Sequence, residues 1–225
     1  MSKKLMFGAL SALLPVALLV VAIGAGSASG KVRPHQPVTF TGAVSCNLHG
    51  TLSISPPALN SASSAYSLSF TGTNNHCKGL PYPTATGATG TTSLTQGGET
   101  LKKSTENFKF SIGTTANPVN LCSDLEYGAA AVPWGGGGGS ITWLGTSPIA
   151  GTTLSTPSPL SALNIFPTVI PLLNWTATGS FAGTADLLLG YNVATVFAKC
   201  ATTTGLSTLP INHLGGDNLL VGPGF

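Results

Sequence analysis

The sequence predicts an all-β fold, an antiparallel β-sandwich of Greek-key or jelly-roll type held by two disulfides. Short runs of Thr, Ser and apolar residues alternate with a period of two, which is typical of strands with one buried and one solvated face. Gly and Pro interrupt these runs throughout, and such residues end strands and form turns. Four cysteines follow an N-terminal export signal, and this even number predicts two disulfides.

The export signal occupies the first residues of the chain. Lys3 and Lys4 precede an apolar run over residues 5–24, and small residues fill positions 25–30. This order of charged, apolar and small residues is typical of a secretory signal peptide. We therefore expect a secreted, extracellular or cell-envelope protein.

Small side chains place the cleavage after Ala28, with cleavage after Ser27 as the alternative. A retained membrane anchor is the competing interpretation, because about 20 apolar residues can span a bilayer. Pro15 interrupts the run and favours the signal peptide. The prediction is a signal peptide over residues 1–28 and a single secreted β-domain over residues 29–225, with no transmembrane span after cleavage.

Ten segments of the mature chain carry the strand pattern, and one carries a helical pattern. The strand candidates are residues 38–42, 48–55, 66–72, 90–94, 107–112, 140–144, 173–181, 184–189, 206–211 and 218–221. Pro56 and Pro57 are expected to end the second of them. Apolar residues within 187–200 do not alternate cleanly, which indicates a short helix there.

Three segments are predicted to lie outside regular strands. Residues 135–139 are five consecutive glycines, which we interpret as a loop between strands or a site where another backbone approaches closely. An interdomain linker is the alternative. Residues 152–161 are rich in Ser and Pro and predict a second loop. Residues 160–173 are apolar but contain two prolines, which predicts an irregular packed segment.

Strand geometry ranks the possible disulfide pairings. A hairpin of the second and third strand candidates places Cys46 opposite a residue near position 74, so Cys77 lies within reach. We therefore pair Cys46 with Cys77 and Cys122 with Cys200. The second bridge closes a long loop, which contributes on the order of 4 kcal/mol in the chain-entropy account.

A metal site is the alternative use of the first cysteine pair. His49 and His76 lie near Cys46 and Cys77 in the sequence, and this set could hold zinc. No C-x-x-C or H-x-x-x-H spacing supports it, so we predict disulfides and no metal. Likewise, no sequence feature indicates a cofactor.

Low charge narrows the range of partners. Charged residues make up 7% of the chain, against about 25% in typical soluble domains. Loss of Lys3 and Lys4 with the signal lowers the formal charge from +3 to +1. The remaining basic cluster, Lys102, Lys103 and Lys109, is too small to follow a phosphate backbone. We therefore expect no nucleic-acid partner.

Catalytic candidates are few. Asp124 and Glu126 are neighbouring acids, and paired carboxylates are the signature of glycan hydrolysis, although an exposed edge or turn explains them equally well. A serine hydrolase would need a histidine, but no G-x-S-x-G elbow is present. The four histidines, predicted to be solvated surface residues, are His35, His49, His76 and His213.

Tryptophans are the main indication of binding, because exposed aromatic rings stack on sugar faces. Trp134 and Trp143 flank the glycine run and are the candidate ligand-binding residues. Their structural alternative is core packing. Trp175 lies within an apolar strand candidate, so we expect it to be buried.

Structural motifs extend over most of the mature chain. In order, they are Val44-Ser45-Cys46 before Gly50-Thr51 and Ser55-Pro56-Pro57, His76-Cys77-Lys78-Gly79, Leu121-Cys122, Gly179-Ser180-Phe181-Ala182-Gly183, and Lys199-Cys200 before Gly205-Leu206. This order resembles a group of uncharacterised small secreted actinobacterial proteins. The resemblance implies an exported, disulfide-bonded β-domain and attaches no activity to it.

Together these features favour a secreted or cell-envelope module that is not an enzyme and that binds a surface glycan or an envelope protein. The alternative is a secreted glycan-acting hydrolase that uses Asp124 and Glu126. A third class, suggested by the apolar residues 160–173, is a structural or lipid-contacting envelope component.

Overall fold

The computed structural model describes residues 36–61, 64–74, 76–119, 122, 134–158, 162–165, 168–188, 190–212 and 218–223. In these ranges the chain forms fifteen strands and one helix. The elements are β1 Ala43–Cys46, β2 His49–Ala58, β3 Tyr66–Asn74, β4 Cys77–Pro83, β5 Thr89–Thr91, β6 Thr95–Gln96, β7 Glu99–Thr100, β8 Lys103–Ile112, β9 Trp134–Leu144, β10 Thr152–Ser158, β11 Ala162–Ile165, β12 Thr168–Gly179, β13 Gly183–Leu188, α1 Val193–Cys200, β14 Leu206–Ile211 and β15 Leu219–Gly222.

Thirteen of these strands form one hydrogen-bonded sheet. Their order is β14-β2-β3-β8-β9-β10-β12-β13-β15-β1-β4-β5, with β11 paired to β12, and β6 and β7 form a separate two-stranded ribbon. Every pairing between these strands is antiparallel. The prediction of an all-β, antiparallel fold is confirmed.

The sheet closes over itself into a sandwich-like arrangement around one core. Phe108 on β8 and Trp175 on β12 are three strand pairings apart, which is about 14 Å along a flat sheet. Their ring centroids are only 5.0 Å apart. The inner faces of the two layers therefore meet, and the aromatic side chains fill the space between them. Trp175 is fully buried, as the sequence predicts.

A long hairpin connects the two layers. One arm consists of β1 followed by β2, and the other of β3 followed by β4. The β2–β3 pair lies near one end of the sheet order, and the β1–β4 pair lies near the other. The arms change layer between Cys46 and His49 and between Asn74 and Cys77. Strands that bend from one sheet into another form the corners of such folds.

Both predicted disulfides are present, Cys46–Cys77 and Cys122–Cys200. Cys46 lies directly opposite Cys77 in the β1–β4 pairing, with their Cα atoms 4.1 Å apart. The first bridge thus joins the hairpin arms where they change layer. The second joins the C-terminal residue of α1 to a position 78 residues earlier in the chain.

Most strand predictions agree with the structure, and the strict alternation of β3 shows why. Along Tyr66–Asn74 every second residue is buried, while Ser67, Thr71 and Thr73 are exposed. Two candidates are exceptions: residues 38–42 contribute only an isolated bridge from Val38 to Ile149, and of residues 90–94 only the first two lie in a strand, β5.

Three segment predictions are wrong, and so is the expectation that Pro56 and Pro57 end a strand, because β2 continues through both to Ala58. Residues 135–139 are part of strand β9 and not a loop, and most of residues 152–161 form β10. The described residues of the 160–173 segment are extended in β11 and β12, where two prolines had predicted irregular structure. In each case, pairing with neighbouring strands outweighs the low strand propensity of Gly, Ser and Pro.

The predicted helix is confirmed over Val193–Cys200. Asn192 provides its N-cap, because its side-chain Oδ1 accepts a hydrogen bond of 2.9 Å from the backbone N–H of Ala194. Lys199 lies in the last turn, where a cation is favourable for the helix dipole.

Candidate binding face

Trp143 is a core residue, which corrects its prediction as a ligand-binding residue. Its side chain is 1% exposed, and its ring forms a T-shaped contact with the Phe181 ring at a centroid distance of 4.9 Å. The indole Nε1–H donates a 2.8 Å hydrogen bond to Thr152 Oγ1. A ring whose faces and N–H group are used inside the core cannot stack on a sugar.

The other predicted site residues are not brought together among the described residues. Trp134 is the first residue of β9 and pairs with Ile112, but its side chain lies outside the described part of the chain. Asp124 and Glu126 also lie outside it. Their proposed roles stay predictions.

The alternative zinc site loses its sulfur ligands, because Cys46 and Cys77 are joined in a disulfide. Within the described ranges no group of three or more His, Cys, Asp or Glu side chains could hold a metal ion.

The outer face of the sheet carries hydroxyl and amide side chains in register. We name one line of them the hydroxyl row: it crosses six adjacent strands, β2, β3, β8, β9, β10 and β12, and its members are all exposed. They are Thr51, Thr71, Asn107, Ser140, Thr153 and Thr178, each paired with the next. Six strands at about 4.8 Å spacing give this row a length of about 24 Å measured along the curved sheet.

A parallel row lies two residues along the strands and contains a gap. It runs from Ser53 through Ser69, Lys109 and Gly138 to Ser155. Lys109 and Gly138 are opposite each other, and Gly138 places no side chain on the face. The sheet is therefore hollowed next to the Lys109 side chain.

The hollow is a groove with a volume of about 370 Å³, here named the glycine groove. This volume is within the range of small-ligand sites, roughly 300–1,000 Å³. Its lining consists of outward polar side chains and the strand backbone beneath them: Ser69, Phe70, Thr71, Asn107, Phe108, Lys109, Gly138, Gly139 and Ser140. Lys109 is the one charged residue among them.

Hydrogen-bond donors dominate the chemistry of this groove. Thr71 Oγ1 lies 3.4 Å from Asn107 Oδ1, which leaves the Asn107 Nδ2 group to donate outward. The Lys109 ammonium adds three donors and no acceptor. Ser69 and Ser140 contribute hydroxyls, which both donate and accept. The arrangement suits a ligand rich in hydroxyl or carboxyl oxygens.

Glycines in β9 allow the backbones to pack closely beneath the groove. A Cβ atom at Gly139 would lie 2.3 Å from the backbone oxygen of Asn107 and 2.8 Å from Cδ1 of Phe108. At Gly137 it would lie 2.2 Å from the backbone oxygen of Lys109. Close approach of a second backbone, one of the three interpretations that the glycine run suggested, is therefore observed.

A buried polar cluster lies on the inner side of the same strands. Asn74, Ser104 and Glu106 are each 0% exposed. Glu106 Oε1 accepts hydrogen bonds from Asn74 Nδ2 at 2.7 Å and from Ser104 Oγ at 2.5 Å. Desolvation raises the pKa of the Glu106 carboxyl, and these two hydrogen bonds oppose that effect only in part. The cluster joins β3 to β8. Because it is closed to solvent, it offers no site to a substrate.

A second cavity, of about 460 Å³, lies beside the C-terminal end of α1. Its lining contains no charged side chain: Leu59, Asn60, Ser61, Cys200, Ala201, Thr202 and Thr203. It therefore offers fewer distinguishing interactions than the glycine groove.

Sequence reasoning missed the hydroxyl row and the glycine groove. The alternating Thr and Ser residues predict an exposed face, but alignment of six strands depends on pairings between residues distant in the chain. The glycine run was the available signal, since a strand without side chains leaves a gap in a sheet face.

Within the described residues, no helix has the length and apolar character needed to cross a membrane. Comparison of the chain with protein-family models, curated protein sequences and solved structures finds no match.

Proposed function

We propose that this chain is a non-enzymatic module, secreted or held in the cell envelope, that binds a glycan across the outer face of its sheet. The observation that carries the proposal is the exposed hydroxyl row of six paired residues with the glycine groove beside it. Two disulfides support an oxidising compartment, because such bonds persist outside the cytoplasm.

Surface composition favours a glycan over a protein partner. Protein interfaces are built around aromatic and apolar anchors. In the described part of the chain the exposed large hydrophobic residue is Phe197, which lies on α1 and not on a strand of the sheet. Hydroxyl and amide groups instead match the hydroxyl groups of sugars by reciprocal hydrogen bonding. The proposed recognition therefore uses hydrogen bonds and not the tryptophan stacking that the sequence suggested.

Row length favours a polymer over a single sugar. Each hydroxyl-to-hydroxyl hydrogen bond contributes only about 0.5–1.5 kcal/mol, because water competes for the same groups. A row about 24 Å long lets several sugar units bind at once, so weak contacts add along the chain. We therefore expect affinity to rise with the length of the glycan.

The experiment is affinity electrophoresis of the disulfide-bonded protein in gels that contain mannan, glucan or a glucuronoxylan, which carries scattered uronic acid units on a neutral chain. Thr71→Val and Thr153→Val together remove two hydroxyls of the row and keep the side-chain shape. Thr91→Val is the matched control, because this exposed threonine lies on β5 at the far end of the sheet order.

Retardation of the wild type and of the control, with a roughly tenfold or greater loss of affinity in the double variant, supports the proposal. Migration of the wild type unaffected by every polymer contradicts it. So does unchanged binding by the double variant, because the glycan would then occupy another surface.

A further inference from the structure

We infer that the glycine groove accepts a carboxylate-bearing sugar unit, such as a uronic acid, with Lys109 as the partner of its carboxylate. This inference rests on the proposed function and specifies which glycans it concerns. Its basis is the charge and donor pattern of the groove.

The positive charge of Lys109 favours a carboxylate as the ligand group in the glycine groove. Lys109 is exposed in the groove, and the described residues show no carboxylate within its lining. Glu106, three positions earlier on the same strand, is fully buried and points to the core. An ammonium that faces a groove without an acidic neighbour favours an anionic ligand group.

The nearest carboxylate on the outer face of the described strands belongs to Asp186. It lies on β13, four strand pairings from β8, which is about 19 Å along the sheet. It is also engaged, because Asn174 donates a hydrogen bond to it. Asp186 therefore leaves the charge of Lys109 available.

The hydrogen-bond donors around Lys109 are also arranged to bind a carboxylate-bearing sugar. Gly138 faces Lys109 across the β8–β9 pairing and leaves space beside the lysine stem. Ser69 faces Lys109 from the other side, on β3. A carboxylate in this space can accept from the ammonium and from a flanking hydroxyl, while the ring hydroxyls of the same sugar reach Asn107 and Ser140. Charge-assisted hydrogen bonds of this kind are the stronger class.

A sugar carboxylate fits better than a nucleic-acid phosphate backbone. One lysine in the groove matches one negative charge in a ligand otherwise bound by neutral donors. Polyanions with a charge on every repeat require several cations along their path. Lys103, the next cation on this face of β8, is six residues from Lys109, which is about 20 Å along an extended strand.

The test is isothermal titration of the disulfide-bonded protein with an otherwise neutral oligosaccharide that carries one glucuronic acid unit, and with the same oligosaccharide after reduction of its carboxyl group to an alcohol. The variants are Lys109→Gln, Lys109→Arg and the control Lys103→Gln. Both positions are exposed, and thermal unfolding of each variant verifies that it remains folded.

The inference predicts that carboxyl reduction and Lys109→Gln each weaken binding about tenfold. Lys109→Arg should retain most of the affinity, and Lys103→Gln should change it less than about twofold. Equal binding of both oligosaccharides, with no effect of Lys109→Gln, overturns this inference and leaves the proposed function in place. Failure of both oligosaccharides to bind overturns the inference, and failure of every polymer in the electrophoresis overturns the proposed function as well.

Discussion

Replacement of Gly139 by alanine tests why β9 contains consecutive glycines. The added Cβ would lie 2.3 Å from the Asn107 backbone oxygen and 2.9 Å from the Phe108 Cα atom. Both are backbone atoms and cannot rotate away. The Phe108 ring, 2.8 Å from the new atom, is held between Phe70 and Trp175 at centroid distances of 5.5 and 5.0 Å.

The magnitude follows from two opposing effects. Gly-to-Ala substitution in a strand recovers about 0.5–1 kcal/mol, because the unfolded chain loses conformational freedom. Overpacking of a filled interior costs typically 1–3 kcal/mol, and contacts this short with backbone atoms belong at the upper end. We therefore expect Gly139→Ala to lower the free energy of unfolding by about 2 kcal/mol.

Urea unfolding followed by tryptophan fluorescence measures this change, since Trp143 and Trp175 are buried in the folded state. Gly151→Ala is the control, because a Cβ there has its nearest neighbour, the Ile141 backbone oxygen, at 3.2 Å. Its stability should change by less than about 1 kcal/mol. A Gly139→Ala protein as stable as the wild type would refute the packing argument and favour a flexible segment.

Three further predictions concern the core and the bridges. Because burial raises the pKa of Glu106 above its ordinary value of 4.5, the folded protein holds this proton more tightly than the unfolded chain does. The protonated Glu106 carboxyl therefore contributes to stability below pH 4.5, and this contribution is lost as the pH rises through the folded-state pKa. Glu106→Gln should thus be the more stable protein at high pH by about 1 kcal/mol or more. Parallel pH profiles of unfolding for the two proteins would disprove this. Joint replacement of Cys122 and Cys200 by alanine should lower the free energy of unfolding by about 4 kcal/mol in a denaturant titration, and a loss below about 1 kcal/mol would show that the bridge adds little. Trp143→Phe removes the hydrogen bond to Thr152 and leaves a cavity, so thermal unfolding should show a loss of about 1–3 kcal/mol, and no loss would contradict its assignment to the core.

The sequence predicts those parts of the fold in which one face of a strand is solvated. Strand β3 alternates strictly, and its residues were identified from that pattern. Strand β1 was missed because all four of its residues, Ala43–Cys46, are buried, so no alternation marks it. The pairing of Cys46 with Cys77 was predicted through a neighbouring hairpin, whereas the structure achieves it by direct β1–β4 register.

Features that depend on distant strands were not predictable from local pattern. Glycine has a low strand propensity, so residues 135–139 predicted a loop, but β8 on one side and β10 on the other hold them extended. The same pairings turn Trp143 inward beside Ser104. The glycine groove was unpredictable for the same reason, since it exists only where a glycine-rich strand is paired with strands that carry polar side chains.

The proposed binding of a glycan to the outer sheet face is tested most directly by amide NMR of isotope-labelled protein titrated with the oligosaccharide that carries one glucuronic acid unit. We predict saturable shifts concentrated at Thr71, Asn107, Lys109, Gly138 and Ser140, while residues beside the second cavity, such as Asn60 and Thr202, stay unchanged. Saturable shifts at the second cavity, or no shifts at all up to millimolar ligand, would contradict the assignment of this face as the binding surface.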